Sequence, residues 1–196
     1  MRLFITFTAF TMCLTLVAQT SSSRNWVDSE IKYSVSQGNT IKVTNSLPRG
    51  GEVYTNSAGE TYSYVIFWHK VSNEAETPIH LKLNFPPKSF TIFPSPDSHI
   101  RIYLPTEIMT SEKINLFNYG LLNLKDFLDS EFYEPSLMEK TINPKEEYFF
   151  YTSVLIYQQQ GTARAGLIKE GNDLFYQLKI GENATLIPCG QIDFQE

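Results

Sequence analysis

The chain has 196 residues, a formal net charge of −5 and an aromatic content of 14%. Its lysine and arginine residues are scattered along the sequence, which argues against a nucleic-acid-binding protein, because such proteins concentrate basic residues on one surface. A chain of this length can bury about 70% of its unfolded surface without disulfide bonds. We therefore expect a single domain.

The first residues have the layout of a secretory signal peptide. Arg2 precedes an apolar run over residues 3–18, which gives way to Gln-Thr-Ser-Ser-Ser. A short positive region, an apolar region and small residues before a polar stretch are typical of such signals. The sequence therefore predicts a signal peptide at residues 1–18, a flexible leader at 19–30 and one domain at 31–196.

Two alternatives to a cleaved signal remain open. The apolar run is slightly shorter than the roughly 20 residues that span a bilayer, so an uncleaved anchor is the less favoured interpretation. Lipid attachment at Cys13 is also disfavoured, because the bulky Phe10, Thr11 and Met12 stand where lipoprotein processing needs small residues. With the signal removed, Cys189 is the only cysteine, and a cysteine-poor exported chain fits a bacterial envelope. We expect a secreted, periplasmic or cell-surface protein.

Strand patterns dominate the rest of the chain. Ile31, Tyr33 and Val35 alternate with polar residues, residues 40–44 alternate again, and the Gly-Asn turn between them indicates a hairpin. Residues 47–51 contain proline and two glycines and are predicted to form a loop. Further strands are predicted at 100–104, 147–158, 162–169, 174–180, 185–188 and 191–194.

The densest aromatic and β-branched stretch lies at residues 62–85, where two strands joined by a short polar loop are predicted to form a hairpin. The first strand is apolar on both faces, with Phe67 on one face and Trp68 on the other. A strand of this kind belongs in the middle of a sheet that is covered on each side. The second strand, at 79–85, alternates between apolar and polar residues, so one of its faces meets a core.

The period of the apolar pattern changes in residues 110–130. Apolar residues recur there at spacings of three and four, which predicts one face of a helix; they are Ile114, Phe117, Leu121, Leu124 and Leu128. We expect Thr110 or Ser111 to cap its start. Gly120 costs such a helix about 1 kcal/mol relative to alanine, which leaves a break into two shorter helices open. The segment is expected to pack over an edge or an open end of the sheets.

Short strands separated by turn signals indicate an antiparallel sandwich. The predicted fold class is mainly β, an antiparallel immunoglobulin-like β-sandwich with a short helical insertion at about residues 110–130. This similarity is one of architecture and implies no function.

The small residues at 161–166 allow close approach of another element. We expect that element to be the helical segment. We also expect Arg164 to pair with one of the carboxylates of that segment.

The histidines are candidate metal ligands. If the two strands of the predicted hairpin pair with their apolar residues on a common face, His69 stands opposite His80, with Cβ atoms about 5 Å apart. Two histidines at that spacing can share a Zn²⁺ or Cu²⁺ ion with a third ligand, for which His99 or Asp97 is a candidate. The simpler alternative is a solvated histidine pair on a sheet face.

Other residues of chemical interest have simpler structural interpretations. Ser95, Asp97, Ser98 and His99 include the residue types of a hydrolase triad, but they lack its sequence context and are more simply explained as a turn. Most carboxylates are expected on the solvated surface, since sequence does not show the separations that hydrolysis needs. Cys189 is predicted to be a small buried hydrophobe. The sequence therefore predicts no catalytic residue and no cofactor.

These observations predict an exported non-catalytic protein of the bacterial envelope, with a binding or assembly role towards an unknown protein or glycan partner. Neither nucleic-acid binding nor a membrane span after signal cleavage is expected. The alternative is a metal- or carboxylate-dependent secreted hydrolase, which would need a concave pocket with convergent polar groups. A binding module would instead show a contiguous exposed aromatic patch, and an assembly subunit an open sheet edge.

Overall fold

The computed structural model describes residues 26–34, 39–95, 97–158 and 161–194. The predicted signal peptide at 1–18, Cys13 and most of the predicted leader lie outside the described residues. Within them the protein is mainly β and contains two antiparallel sheets, which confirms that part of the predicted fold class. No helix in the described ranges is long and apolar enough to cross a membrane.

Six strands form the first sheet: β1 (Val27–Ser34), β2 (Thr40–Ser46), β3 (Arg49–Thr55), β4 (Thr61–Asn73), β6 (His99–Tyr103) and β8 (Glu147–Tyr157). Their order is β1-β2-β4-β8-β6, and β3 lies beside the N-terminal half of β4, where β2 does not reach. Five strands form the second sheet: β5 (Ile79–Phe85), β7 (Ser136–Ile142), β9 (Ala163–Glu170), β10 (Asp173–Ile180) and β11 (Asn183–Phe194). Their order is β7-β5-β11-β10-β9.

The two sheets enclose an apolar core. Phe67 and Val71 of β4 belong to the same buried cluster as Leu81 and Leu83 of β5 and Tyr176 of β10. Side chains from the inner faces of two packed sheets form the core of a β-sandwich in this way. The arrangement is therefore consistent with the predicted sandwich.

A second buried cluster covers the outer face of the first sheet. Ile66 and Trp68 of β4 and Tyr151 and Leu155 of β8 belong to it, together with apolar side chains from the segment 109–132. β4 and β8 are thus apolar on both faces because each face is covered, as the sequence predicts for these two central strands.

The predicted hairpin at residues 62–85 is wrong. β4 pairs with β2, β3 and β8, whereas β5 pairs with β7 and β11 in the other sheet. The loop between them carries the chain from one sheet to the other, and Asn73 shapes this crossing by donating from Nδ2 to the carbonyl oxygens of Thr77 and Ile142. The alternation of apolar and polar residues shows which side chains of a strand face a core, but it does not show which strand is its neighbour in the sheet. A strand beside β4 in the same sheet and a strand across the core in the other sheet have the same alternating pattern.

The helical segment predicted at about residues 110–130 is confirmed in its place but not as one helix. It contains 3₁₀ turns at Ser111–Lys113 and Phe117–Gly120 and one α-helix, α1, at Leu124–Glu131. The chain breaks at Asn118 and Tyr119, whose φ angles are 46° and 56°, and Tyr119 is held there because its Oη donates to the Leu47 carbonyl oxygen. The segment covers the outer face of the first sheet, rather than an edge or an open end, because that face carries apolar residues that need burial.

Two boundaries near the start of the domain differ from the sequence prediction. β1 begins at Val27, inside the predicted leader at 19–30, and β3 begins at Arg49, inside the predicted loop at 47–51. The two glycines of that loop have φ angles of 102° and 94°, which lets β3 bulge and still pair with β4 on either side. The last two predicted strands are one strand, β11, which also continues through a bulge.

The small residues of β9 pack against β2 of the opposite sheet. A Cβ atom on Gly166 would lie 3.1 Å from Asn45 Nδ2, and Asn45 Oδ1 accepts a hydrogen bond from Leu167 N at 2.9 Å. Arg164 Nε lies 3.2 Å from Asp28 Oδ1 of β1, so the predicted pairing with a helix carboxylate is wrong. Small side chains do permit a close approach here, but the approaching element is a strand.

Candidate binding groove

The predicted pairing of His69 with His80 is wrong. His69 lies on β4 and points into the core between the sheets, whereas His80 lies on β5, opposite Thr141 of β7 and Asp193 of β11. Because the two histidines belong to different sheets, the cross-strand geometry that made them candidates for a shared metal ion is absent. His80 Nε2 instead lies 3.9 Å from Glu139 Oε2. No group of three or more His, Cys, Asp or Glu side chains among the described residues is placed to hold a metal ion.

His69 is fully buried and lies at the centre of a polar network. Its Nδ1 is 2.8 Å from Asn45 Oδ1, and its Nε2 is 3.0 Å from Thr152 Oγ1. Thr152 Oγ1 is in turn 2.7 Å from Tyr176 Oη in the second sheet, and Asn45 Nδ2 donates to Ser29 Oγ at 3.1 Å. The network therefore ties β10 of the second sheet to β1, β2, β4 and β8 of the first.

The hydrogen-bond partners fix the direction of each bond. Asn45 Oδ1 can only accept, so it takes the protons of His69 Nδ1 and Leu167 N. The neutral imidazole must then accept at Nε2, which makes Thr152 the donor there and leaves Thr152 Oγ1 to accept from Tyr176 Oη. The network is thus satisfied when His69 carries one proton, on Nδ1.

Burial keeps the two titratable groups of this network neutral. It lowers the pKa of His69 to about 3, because the imidazolium would lose its hydration inside the core. Burial likewise raises the pKa of the Tyr176 hydroxyl. Since neither side chain is exposed to solvent, the network stabilises the fold and offers no surface to a ligand.

Stability should decrease as the pH falls from 7.5 to 5, because the unfolded chain protonates His69 near its ordinary pKa of 6.5 and the folded protein does not. Between pH 6.5 and pH 3 the unfolded state binds one more proton, which costs about 1.4 kcal/mol per pH unit. Over the range tested, we expect the wild type to lose about 2 kcal/mol more than His69→Gln in urea unfolding. Equal losses in the two proteins would contradict a buried neutral His69.

The residues that the sequence analysis considered for a triad or a reactive thiol have structural roles. Ser98 N donates to the Ser95 carbonyl oxygen, and Ser98 Oγ donates to that of Gln158, so these residues form a turn. His99 stacks on a tyrosine of β8 with ring centroids 4.8 Å apart. Cys189 is buried, and burial raises the pKa of its thiol to about 12. The thiolate that a reactive cysteine needs is therefore strongly disfavoured.

The feature that stands open to a ligand is one edge of β8. β4 pairs with β8 from Glu147 to Tyr157, but β6 pairs only with residues 153–157. Among the described strands, none pairs with residues 147–152 on the side of β8 that faces away from β4. Such an edge presents unpaired N–H and C=O groups to any extended chain that approaches it.

A proline explains why β6 ends early. In the register of the β6–β8 pair, Pro105 would lie opposite Tyr151. Proline has no N–H to donate and is excluded from the interior of a ladder. The chain turns away at Leu104, whose N–H instead donates to Ser136 Oγ of β7 at 2.7 Å. This bond ties the end of β6 to the first residue of β7, the edge strand of the second sheet.

Two adjoining cavities together form the edge groove, and the larger of them lies beside the open edge of β8. The larger has a volume of about 680 Å³ and is lined by residues 104–112, 137–139 and 147–151. The smaller, of about 580 Å³, shares residues 104–107 and Leu137 and extends towards α1. Both volumes lie within the roughly 300–1,000 Å³ of ligand pockets.

The edge groove is both apolar and acidic. Ile108 and Leu137 are 77% and 62% exposed at its walls. Six carboxylates line it, and no lysine or arginine does among the described residues; they are Glu107, Glu112, Asp126, Glu131, Glu139 and Glu147. Glu139 pairs with Lys82, and Glu147 pairs with Lys70. The remaining four have no ion pair within the part of the chain that the structure describes.

Sequence reasoning placed no residue of the edge groove in a site. It predicts strands at 100–104 and 147–158, and Pro105 follows the first of them, but it does not show that these strands are neighbours. Once that pairing is known, the shorter strand and its terminal proline imply an open edge on the longer one. Pro105 is therefore the signal that could have located the groove.

No family model, curated protein or solved structure matches this chain. Because a fold alone does not define a function, the function must be argued from the edge groove itself.

Proposed function

We propose that this protein is a non-catalytic binding protein of the bacterial envelope that takes an extended segment of a partner protein into the edge groove. The segment lies alongside residues 147–152 of β8 and continues the first sheet in the position that β6 leaves empty. The observation that carries this proposal is the unpaired edge of β8 beside a groove of ligand size. Strand addition to an exposed edge is a recurring mode of peptide recognition, in which main-chain hydrogen bonds provide affinity.

The side chains at this edge also support an added strand. Tyr148 and Phe149 are only half-buried, and they pack against the inner and the outer apolar cluster respectively. Alternate side chains of an added strand point to opposite faces of the sheet, so they would extend both clusters at once. A strand paired with residues 147–152 spans about 20 Å, at roughly 3.4 Å per residue.

Two further assignments belong to this proposal. Export to the envelope is supported by Arg2 and the apolar run at residues 3–18. An immunoglobulin-like class of sandwich is supported by the two packed antiparallel sheets and by the crossing of the chain from β4 to β5.

Peptide binding can be tested with a phage-displayed library of random dodecapeptides, selected on the immobilised protein. We expect synthetic versions of the selected peptides to slow amide hydrogen exchange in residues 147–151, because their backbones bond to that edge. Thr106 is exposed and lines both cavities. Thr106→Trp should therefore fill the groove and weaken peptide binding at least ten-fold, a loss of roughly 1.4 kcal/mol or more.

Thr141→Trp is the matched control, because Thr141 is exposed on β7 and lines neither cavity. Equal losses in the two variants, or protection outside the groove, would show that peptides bind elsewhere. Failure to select any binding peptide would contradict the proposed function. Cleavage of bound peptides, detected by mass spectrometry, would favour the hydrolase alternative instead.

A further inference from the structure

We infer that the edge groove selects a basic segment, one that combines lysine or arginine with aliphatic residues. This inference rests on the proposed function and names the chemistry of the partner at the same site. The aliphatic part follows from exposed Ile108 and Leu137 and from half-buried Tyr148 and Phe149. The basic part follows from the charge of the groove walls.

The unpaired charges of the groove are of one sign. Glu112, Asp126 and Glu131 have no ion pair among the described residues. Glu107 is fixed in place without a basic partner, because its Oε1 accepts hydrogen bonds from two backbone N–H groups just before α1, at 3.2 and 2.8 Å. These four carboxylates lie along both cavities and attract any cation that enters.

The lysines nearby offset little of this charge. Lys113 donates from Nζ to the Ile108 carbonyl oxygen at 2.6 Å and lies over the Tyr151 ring, so it approaches the groove from outside its lining. Lys82 forms an ion pair with Glu139, and Lys70 forms one with Glu147. Each of these lysines is therefore neutralised by a carboxylate other than the four unpaired ones. Lys140 of β7 also reaches the groove from outside its lining, since its Nζ lies 5.2 Å from the centroid of the Tyr148 ring. Four unpaired carboxylates against these two lysines, Lys113 and Lys140, leave the groove negative.

A negative groove discriminates between peptides of equal length. A segment with lysine residues gains from complementary charge and associates faster, whereas a segment with glutamate meets like charges in a confined space. Both peptides offer β8 the same main-chain N–H and C=O groups, so the hydrogen bonds of an added strand are available to each of them. Selectivity therefore comes from the side chains alone.

Three synthetic heptapeptides test this selectivity by fluorescence anisotropy. In each, valine alternates with a second residue, which is lysine, glutamine or glutamate. We expect the lysine peptide to bind at least ten-fold more tightly than the glutamine peptide, and the glutamate peptide to bind most weakly. The preference for lysine should shrink when salt is raised from about 20 mM to about 200 mM, because the ions screen exposed charges.

A pair of charge-matched double variants tests where the selectivity arises. Asp126→Asn with Glu131→Gln should lower affinity for the lysine peptide about five-fold, since each exposed charge contributes little on its own. The glutamine peptide should bind this variant as it binds the wild type. Glu170→Gln with Glu182→Gln removes the same charge from the exposed last residue of β9 and from the exposed turn after β10, and should leave both affinities unchanged.

The outcomes separate the inference from the function on which it rests. If the glutamine peptide binds in the groove as tightly as the lysine peptide, the basic preference is overturned and the peptide-binding function stands. If the lysine peptide binds Thr106→Trp as well as the wild type, or if both double variants lose affinity equally, its binding reflects net charge and the inference is overturned. If none of the peptides binds, both proposals fail.

Discussion

Replacing Gly190 with alanine is expected to lower the free energy of unfolding by about 3 kcal/mol or more. Gly190 has a φ angle of 149° and lies where β11 pairs with β5 on one side and bulges from β10 on the other. An alanine Cβ would overlap the Lys82 carbonyl oxygen and lie 3.0 Å from Leu83 Cα. The obstacle is strand backbone, so relief would require the β5–β11 ladder to separate.

Gly171→Ala provides the control for this prediction. Gly171 also has a positive φ angle, of 59°, but a Cβ atom there would meet nothing within 4 Å. The Gly171→Ala variant should therefore lower the free energy of unfolding only by the roughly 1–2 kcal/mol that a left-handed conformation costs an alanine. Urea unfolding of the two variants separates the overlap from the backbone cost. A Gly190→Ala variant no less stable than Gly171→Ala would refute the close approach of β5 to β11.

The second large effect is expected at His69, where substitution by leucine should lower the free energy of unfolding by about 3 kcal/mol at neutral pH. Leucine fills much of the space but bonds to neither neighbour. The Thr152 hydroxyl then loses its acceptor, and Asn45 Oδ1 keeps only the Leu167 N–H. Each buried group left without a partner costs about 1–3 kcal/mol.

His80→Leu is the matched control, because His80 lies half-exposed on the outer face of the second sheet, where substitutions usually change stability by less than about 0.5 kcal/mol. Thr152→Val tests the cause of the His69 effect. If the lost hydrogen bond matters, the double variant His69→Leu/Thr152→Val should be more stable than the sum of the single losses predicts. Strict additivity would show that the two side chains are not coupled.

The local features of the fold follow from the sequence because they depend on neighbours in the chain. Apolar residues on both faces of 64–71 and of the later strand at 147–158 reflect the two layers that cover each of them. The spacing of Leu121, Leu124 and Leu128 likewise reflects the one face of that segment that is buried.

The pairing of strands could not be predicted, because it depends on residues distant in the chain. The same alternation at 79–85 fits a strand beside β4 and a strand across the core from it. Choosing the first option placed His69 and His80 together, although they lie in different sheets. The edge groove was missed for the same reason, since an open edge is a property of two neighbouring strands of unequal length.

The partnership of β4 with β8 also governs how the chain can reach this structure. Ser72 and Glu147 lie opposite each other although they are 75 positions apart in the chain. Closing so long a loop costs entropy before any contact is made, and folds dominated by distant pairings need milliseconds to seconds. Until β8 arrives, β4 exposes an apolar edge of its own. During folding, the unpaired edge of β4 can therefore pair with another chain. Once β8 has paired with β4, the edge that stays open is that of β8, beside the acidic edge groove.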